Sequence, residues 1–557
     1  MNGIDRRGVL KAGLAGGVLG SANVASAGLS LTGTADPFEY GVASGDPGPD
    51  RIILWTRAKG PDDAPVAGHW EVASDSTFTH IVAQGPFRAT SIRDHCVKVD
   101  VAGLRPGSAY WYRFTSGGAV SPIGRLQTLP VGHVAQLNIV VASCAMYMFG
   151  EFHAYRAIAE RELLDFVLFV GDYIYEYGSN SFAISPDIRA VEPAHDTVSL
   201  ADYRARYAQW RRDSALQAAH ARAPWICMWD DHEIANDDWT GGAQHHDAGT
   251  QGSWEARKAA AVQAYLEWMP IRDPDPADPF AINRSYCIGN LATLILPETR
   301  LEARDRQPSL KDLKSHSAKD IMAFRKILAD PTRRMIGEEQ LRWIEDEARR
   351  SVATGQPWLL FGSTTIMASY VYPDLAGMVP AATRAEFEKL QPGGSALYDQ
   401  TGLGLPLFNL DSWDGYPAER DKLYDLLTKA APQSNLLVLS GDSHMAWANE
   451  LHRNGQRIGL EVSTSTLTGP SMGTLLHLED VALGQAFVRD NGDVYWCDHL
   501  AVGFVALTVN RDRVQAEFVS VLAPRKPRSS VGGGRIFTAS AANGQLGGWQ
   551  SGSNDSP

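Results

Sequence analysis

The sequence predicts an α/β core preceded by a small all-β sandwich, and three observations predict it. Between Pro37 and Pro130, short β-rich runs alternate with turn-forming residues. Beyond Pro130, apolar runs of four to eight residues alternate with long helical and irregular stretches, as in a sheet buried on both faces. Four of these apolar runs end in clusters of Asp, His, Cys or Tyr. In open α/β sheets, ligands bind beyond the carboxyl ends of the strands.

The N-terminus sets an expected compartment. Arg6-Arg7-Gly8-Val9-Leu10-Lys11 precedes a weakly apolar stretch from Ala12 to Val24, followed by Ala25-Ser26-Ala27. Residues 1–27 therefore read as a twin-arginine signal with an A-x-A cleavage site. A membrane-spanning helix needs roughly 20 strongly apolar residues, whereas this stretch is short and carries Gly13, Gly16, Gly17 and Gly20. The expectation is an exported protein, periplasmic or extracellular, that meets the twin-arginine machinery and has no transmembrane anchor. Twin-arginine export carries folded proteins, which suits one loaded with a cofactor beforehand.

Charge narrows the partners. The formal net charge is −13, and loss of Arg6, Arg7, Lys11 and Asp5 with the signal leaves 48 basic against 63 acidic residues, or −15. Such a surface does not draw nucleic acid or anionic membrane, so no stable nucleic-acid binding is expected. An anionic substrate then needs a local positive centre, which bound cations supply. The five cysteines are too few and too scattered for a disulfide scaffold, and their odd number leaves at least one unpaired.

Residues 36–130 form the expected N-terminal β-sandwich domain, with strands over 51–56, 69–73, 96–101 and 109–114. Turns fall at Gly45-Asp-Pro-Gly-Pro49 and Leu104-Arg-Pro-Gly107. The Leu-x-Pro-Gly-x-x-Tyr-x-Tyr pattern at Leu104 to Tyr112 resembles a fibronectin type III module, and it contains no catalytic constellation. Residues 135–520 form the expected catalytic domain. Helices are expected over 152–164, 202–221, 254–268 and 337–352. Long loops or insertions are expected over 178–196 and 372–404, and a Gly- and Ser-rich C-terminal tail over 524–557.

The four strand ends carry the chemistry. They are Ala142-Ser143-Cys144, Gly171-Asp172-Tyr-Ile-Tyr175, Trp229-Asp230-Asp231-His232-Glu233 and Ser440-Gly441-Asp442-Ser443-His444. Singly, each has a bland explanation as a turn, a buried filler or a helix cap. Four such clusters at buried strand ends are costly unless paired or metal-bound. A Tyr175 phenolate and a Cys144 thiolate suit a trivalent iron-type centre, while Asp231, Asn236 and Asp442 offer hard oxygens for calcium or another divalent ion. Asp172 is the expected bridging carboxylate and His444 an imidazole ligand. Two cations about 3.5–4 Å apart suit phosphate-ester cleavage, where charge must be neutralised and a water activated.

A rival reading is a serine hydrolase, because Gly469-Pro-Ser471-Met-Gly473 fits a nucleophile elbow and Asp480 and His499 follow in order. A non-enzymatic surface-binding protein would predict broken ligands at some strand end, and none is broken.

Residues 38 to about 520 resemble the PhoD-type alkaline phosphatase and phosphodiesterase family of the metallophosphoesterase group. The resemblance rests on Gly41-Val-Ala-Ser-Gly-Asp-Pro47, the four strand-end motifs and Asp411-Ser-Trp-Asp-Gly-Tyr-Pro-Ala-Glu-Arg420, in the family's order. It implies a two-sheet sandwich flanked by helices behind the β-module, with Fe3+ and Ca2+ as expected cofactors and other divalent metals as alternatives. It implies ligand roles for Cys144, Asp172, Tyr175, Asp231, Asp442 and His444, and a place for His232 beside the phosphate, stabilising charge or protonating the leaving group. Glu298-Thr299-Arg300 stands where many relatives have Asp-Thr-Arg, so Arg300 has two readings: phosphate contact or a carboxylate pair. The implied reaction is hydrolysis of phosphate monoesters, diesters or both by metal-activated water. A phospholipase D-like diesterase on the same metal site is the alternative.

Overall fold

The computed structural model describes residues 36–552 apart from 61–62, 182–186, 310–311, 407–409 and 542–544. The expected export signal lies outside the described residues. Two large sheets form the core. The first runs, edge to edge, through Gln550–Ser551, Val531–Ser540, Arg513–Val521, Gly503–Asn510, Gln136–Ala142, Phe166–Val170, Trp225–Met228, Val42–Gly45, Arg51–Arg57 and Cys96–Ala102. The second runs through Arg284–Ile288, Ala292–Leu296, Trp358–Gly362, Asn435–Ser440, Gln456–Ser463, Ala446–Arg453 and Val494–Asp498. The central strands of both sheets are parallel.

Side-chain alternation explains why these sheets stack. Along a strand, successive residues face opposite sides. Ile139, Val141, Leu168, Ile226 and Met228 from the first sheet meet Leu294, Leu296, Leu360, Leu437, Leu439 and Val462 from the second in one apolar layer. The alternate residues Val140, Ala142, Val167, Phe169, Trp225 and Cys227 face outward, against residues of the helices His153–Ala159, Leu200–Arg211, Ser214–Arg222 and Trp254–Trp268. On the other side, Ile295, Leu359, Phe361, Leu436 and Val438 pack on Gly337–Ala353 and Pro417–Ala430. The α/β fold with a two-sheet sandwich is thus observed, and its continuous apolar runs are the signature of strands covered twice.

Several boundaries differ from expectation. The helix expected over 202–221 is two helices, because Asp213 caps the second by accepting from Ala215 and Leu216 backbone N–H groups. The β-sandwich of the N-terminal region is present: Val42, Ile52, Leu54, Val97 and Val101 pack on Val72, Phe87, Tyr112 and Phe114. Its Leu104-Arg-Pro-Gly107 turn is tied by Arg105 N donating to Tyr110 Oη at 3.0 Å. One of its two sheets is continuous with the catalytic sheet, however, since Val42–Gly45 pairs in parallel with Trp225–Met228. The 524–557 segment is also not merely a tail, because Val531–Ser540 pairs along Arg513–Val521; alternating Phe537 and Ala539 are buried there among the inter-sheet core. The 372–404 insertion is largely helical, with Leu375–Met378, Ala381–Leu390 and Gly394–Gln400. All five cysteines are free, and Cys287 alone is exposed.

Candidate metal centre

The four strand ends converge. Gln136–Ala142, Phe166–Val170 and Trp225–Met228 lie side by side and parallel, so their carboxyl ends share one rim, and Asn435–Ser440 brings the fourth end from the other sheet. Two glycines let the turns approach. A Cβ on Gly171, which sits at φ +103°, would collide with Asp230; one on Gly441 would collide with Ser143. The ligand candidates themselves adopt left-handed backbone: φ is +59° at Cys144, +61° at Asp172, +67° at Asp442 and +54° at His444. Such conformations cost about 1–3 kcal/mol each and concentrate at functional sites.

Donor atoms of Cys144, Asp172 and His444 lie within 4.8 Å of one another, as do those of Asp172, Asp231 and His232, and of Asp172, Asp230 and Asp442. Asp172 is common to these three, and Asp231, Asp237 and Asp411 form a fourth group without it. Its Oδ2 accepts from Tyr175 Oη at 2.8 Å and from Cys144 Sγ at 3.3 Å. Tyr175 Oη lies 3.2 Å from His444 Nε2, whose ring is oriented by Nδ1 facing Pro470 O at 3.0 Å. The opposite oxygens are left over: Asp172 Oδ1, Asp230 Oδ2 and Asp231 Oδ1 are buried without a hydrogen-bond partner.

Electrostatics agree with that geometry. Burial, then the charges of Asp230, Asp231 and Asp411, pushes the Asp442 carboxyl well above the usual range. Burial raises Asp172 as well, helped by Asp231 and Asp230 against His232. Burial also raises the Cys144 thiol and the Tyr175 phenol, with Asp172 adding to both. It lowers His444 to about 4, which keeps the imidazole neutral and able to ligate. The orphaned oxygens and the S, N and O donor set fit cations, which would satisfy the lone pairs and relieve the mutual repulsion.

The profile of the family described as PhoD-like phosphatase matches residues 139–518, and its N-terminal domain matches residues 23–130. The chain belongs to the PhoD-like phosphatase family. It is 34% identical to alkaline phosphatase D of Bacillus subtilis over 449 residues, covering 78% of this chain and 69% of that protein. A solved structure of PhoD superposes with a TM-score of 0.76 at 28% identity, covering 95% of this chain and 94% of that one. The chain is accordingly a phosphoric ester hydrolase.

In this PhoD-like phosphatase the expected ligands Cys144, Asp172, Tyr175, Asp231, Asp442 and His444 are brought to one rim. Asn236 stands in the wall: its Oδ1 accepts from Tyr177 Oη at 2.8 Å and its Nδ2 donates to Gln244 at 2.6 Å, leaving one lone pair on Oδ1. Arg300 lies among carboxylates, as the second of its two readings expects. It is fully buried, and its guanidinium is committed to carboxylates: Nε donates to Asp230 at 2.5 Å, Nη1 to Asp411 at 2.9 Å, and Nη2 lies 2.7 Å from Asp411 Oδ2. It braces Asp230 and Asp411 behind the rim, while Nη2, 3.7 Å from Asp231 Oδ1, makes no hydrogen bond. Glu298 re-aims its longer side chain onto Trp229 Nε1 and the backbone N–H groups of Arg300, Leu301 and Glu302.

The serine-hydrolase reading fails on geometry. Ser471 Oγ caps the short helix Met472–Leu475 by accepting from Thr474 N, and His499 Nε2 faces Leu478 O at 3.1 Å. Ser143 does touch Cys144, donating to Sγ at 3.3 Å, whereas Ser443 Oγ donates to Met445 O rather than to Asp442. Sequence reasoning missed Glu233, whose carboxylate collects the N–H groups of Asp172, Tyr173 and Asp230 and so locks two strand ends together. It also missed Asp230, Glu176 and His245. The signal was available in part, because Asp230 and Glu233 flank the assigned Asp231 and His232.

Proposed function

We propose that this PhoD-like phosphatase is an exported, metal-dependent enzyme acting on small phosphate monoesters, phosphodiesters or both by attack of a metal-activated water. One observation carries the reading: three orphaned carboxylate oxygens share a buried rim with a thiol, a phenol and a neutral imidazole. Cys144, Asp172, Tyr175 and His444 would hold an iron-type Fe3+; Asp172, Asp230, Asp231 and Asp442, with Asn236 at the wall, would hold a hard divalent ion such as Ca2+. When bound, such cations neutralise charge on the phosphoryl oxygens and acidify water.

The chain's own residues supply the rest. Asp172, common to both sets, would contribute oxygen to each. His232 offers a ring nitrogen within 4.8 Å of Asp172 and Asp231 oxygens; there it would hold a proton for the departing oxygen. The buried neighbours raise its basicity: burial alone would lower His232, but Asp231, Glu176 and Asp172 together push it well above the ordinary histidine value. The Arg300 brace keeps Asp230 in place from behind.

Export rests on the twin-arginine pattern of Arg6 and Arg7 and would involve the twin-arginine machinery, with a periplasmic or extracellular destination. No described helix is long and apolar enough to cross a membrane. The test is hydrolysis of p-nitrophenyl phosphate and bis-p-nitrophenyl phosphate by the purified protein, before and after chelation. Chelator-sensitive turnover supports the reading, and the ratio of the two rates separates monoesterase from diesterase. Undiminished turnover in demonstrably metal-free protein contradicts it.

A further inference from the structure

One fully buried acid beside the rim has no part in holding cations. Glu176 follows Tyr175 and is 0% exposed. Its two oxygens join two histidines: Oε2 lies 2.8 Å from His232 Nδ1, and Oε1 lies 2.9 Å from His245 Nδ1 while also accepting from Asn236 N at 2.7 Å. The chain of contacts continues outward, with His245 Nε2 3.2 Å from Asp196 Oδ2. Asp196 is itself fixed, accepting from Gly178 N at 2.8 Å. Aromatic faces complete the cradle. The His232 ring lies 4.1 Å from that of Tyr175, and Tyr177 packs against both His232 and His245 at 5.3 and 4.9 Å.

Hydrogen-bond logic gives this chain a direction. An ionised carboxylate only accepts, so each histidine presents Nδ1–H to Glu176. Three donors converge on its two oxygens, from His232, His245 and the Asn236 backbone. With Nδ1 committed, Nε2 is the His232 nitrogen that remains for the Asp172–Asp231 side. A histidine whose second nitrogen is held in this way has one tautomer and one ring orientation.

We infer that Glu176 is a positioning residue for ester hydrolysis: it fixes His232 as an Nδ1–H donor and aims Nε2 at the leaving oxygen, with His245 and Asp196 anchoring Glu176 from outside. The inference rests on the role proposed above for His232. In the step it serves, one proton passes from Nε2 to the departing oxygen as the P–O bond breaks, and the ring is left neutral with Nδ1–H still on Glu176. No oxidant or further reactant is involved.

The experiment is Glu176→Gln in the holoenzyme. The change keeps size but sets an amide NH2 against one Nδ1–H, so the ring loses its fixed tautomer. The kcat should fall about 10–100-fold while KM shifts less than about threefold. Metal content should stay at the wild-type level. The loss should be steeper for alkyl phosphates, whose leaving oxygen needs a proton, than for p-nitrophenyl phosphate. On a His232→Asn background, Glu176→Gln should cost less than about twofold more, because it acts through that ring. Nitrogen-15 spectra of metal-free wild type should find His232 protonated on Nδ1, with mixed tautomers in Glu176→Gln. Should Glu176→Gln fail to fold, His245→Gln, at a partly exposed position, carries the same leaving-group and double-variant tests with a smaller loss. Equal losses for all leaving groups, or full multiplication on the His232→Asn background, would overturn the inference. Unchanged turnover in His232→Asn alone would instead remove the proposed role of His232 itself.

Discussion

Two acidic corners of this molecule lie side by side and are treated in opposite ways. At the first, Asp172 and Asp442 meet Cys144, Tyr175 and His444, no arginine ion pair to either is found among the described residues, and both carboxyls are pushed up although His232 stands beside Asp172. At the second, Asp411 is clamped by Arg300 and Arg304, with ion pairs at 2.7 and 2.6 Å, and is held down at about 2. Burial disfavours charge at both. The guanidinium groups make the difference, satisfying one corner internally and leaving the other to recruit cations. Asp230 and Asp231 join the two: Arg300 holds one Asp230 oxygen, while Asp230 Oδ2 and Asp231 Oδ1 stay without a hydrogen bond.

The largest break in this contrast is Asp172→Asn. It belongs to three of the four candidate ligand groups, so the variant should lose cations together with at least about 1,000-fold of kcat/KM; elemental analysis and steady-state kinetics check both. Arg300→Leu attacks the other corner. Leaving Asp230 uncompensated, and Asp411 with Arg304 alone, should cost about 3–5 kcal/mol, read from urea unfolding. If it raised KM with stability intact, Arg300 would be touching substrate after all.

Removing metals sharpens the comparison through pH. Asp237 is raised to about 7 by burial and by Asp411 and Asp231, and Asp172 and Asp442 are raised too. Each folded pKa exceeds its unfolded value, so the contribution of these three groups to metal-free stability is full below about pH 4 and is lost as pH rises through about 7. The loaded protein should lack that slope, and at neutral pH chelation should lower stability by about 3 kcal/mol or more if metal stands at 100 times its Kd. Thermal melts at several pH values, with and without chelator, measure this. The smallest effect belongs to Ser471→Ala, which removes only a helix cap. It should cost about 1 kcal/mol and leave turnover unchanged.

The same contrast explains what the sequence disclosed. Strand-end motifs were legible because each apolar run and its ligands are adjacent in the chain, as in Phe166 to Tyr175. Cys144, Asp172 and His444 could be proposed from donor chemistry alone, and their donor atoms lie within 4.8 Å of one another. Arg300 could not, because its role depends on Asp411, which is 111 residues away. Glu176 was hidden for a similar reason, since its partners His232 and His245 arrive from a different strand end and loop. Boundaries failed where pairing overrode composition: Gly-rich Val531–Ser540 looks like a tail until Arg513–Val521 offers it an edge.

The most direct test of the central claim is anomalous diffraction from crystals of the purified protein. Metal peaks within bonding distance of Cys144 Sγ, Tyr175 Oη and His444 Nε2, with Asp172 between them and a second peak near Asp442, are the predicted result. An empty rim in crystals of fully active enzyme would contradict it.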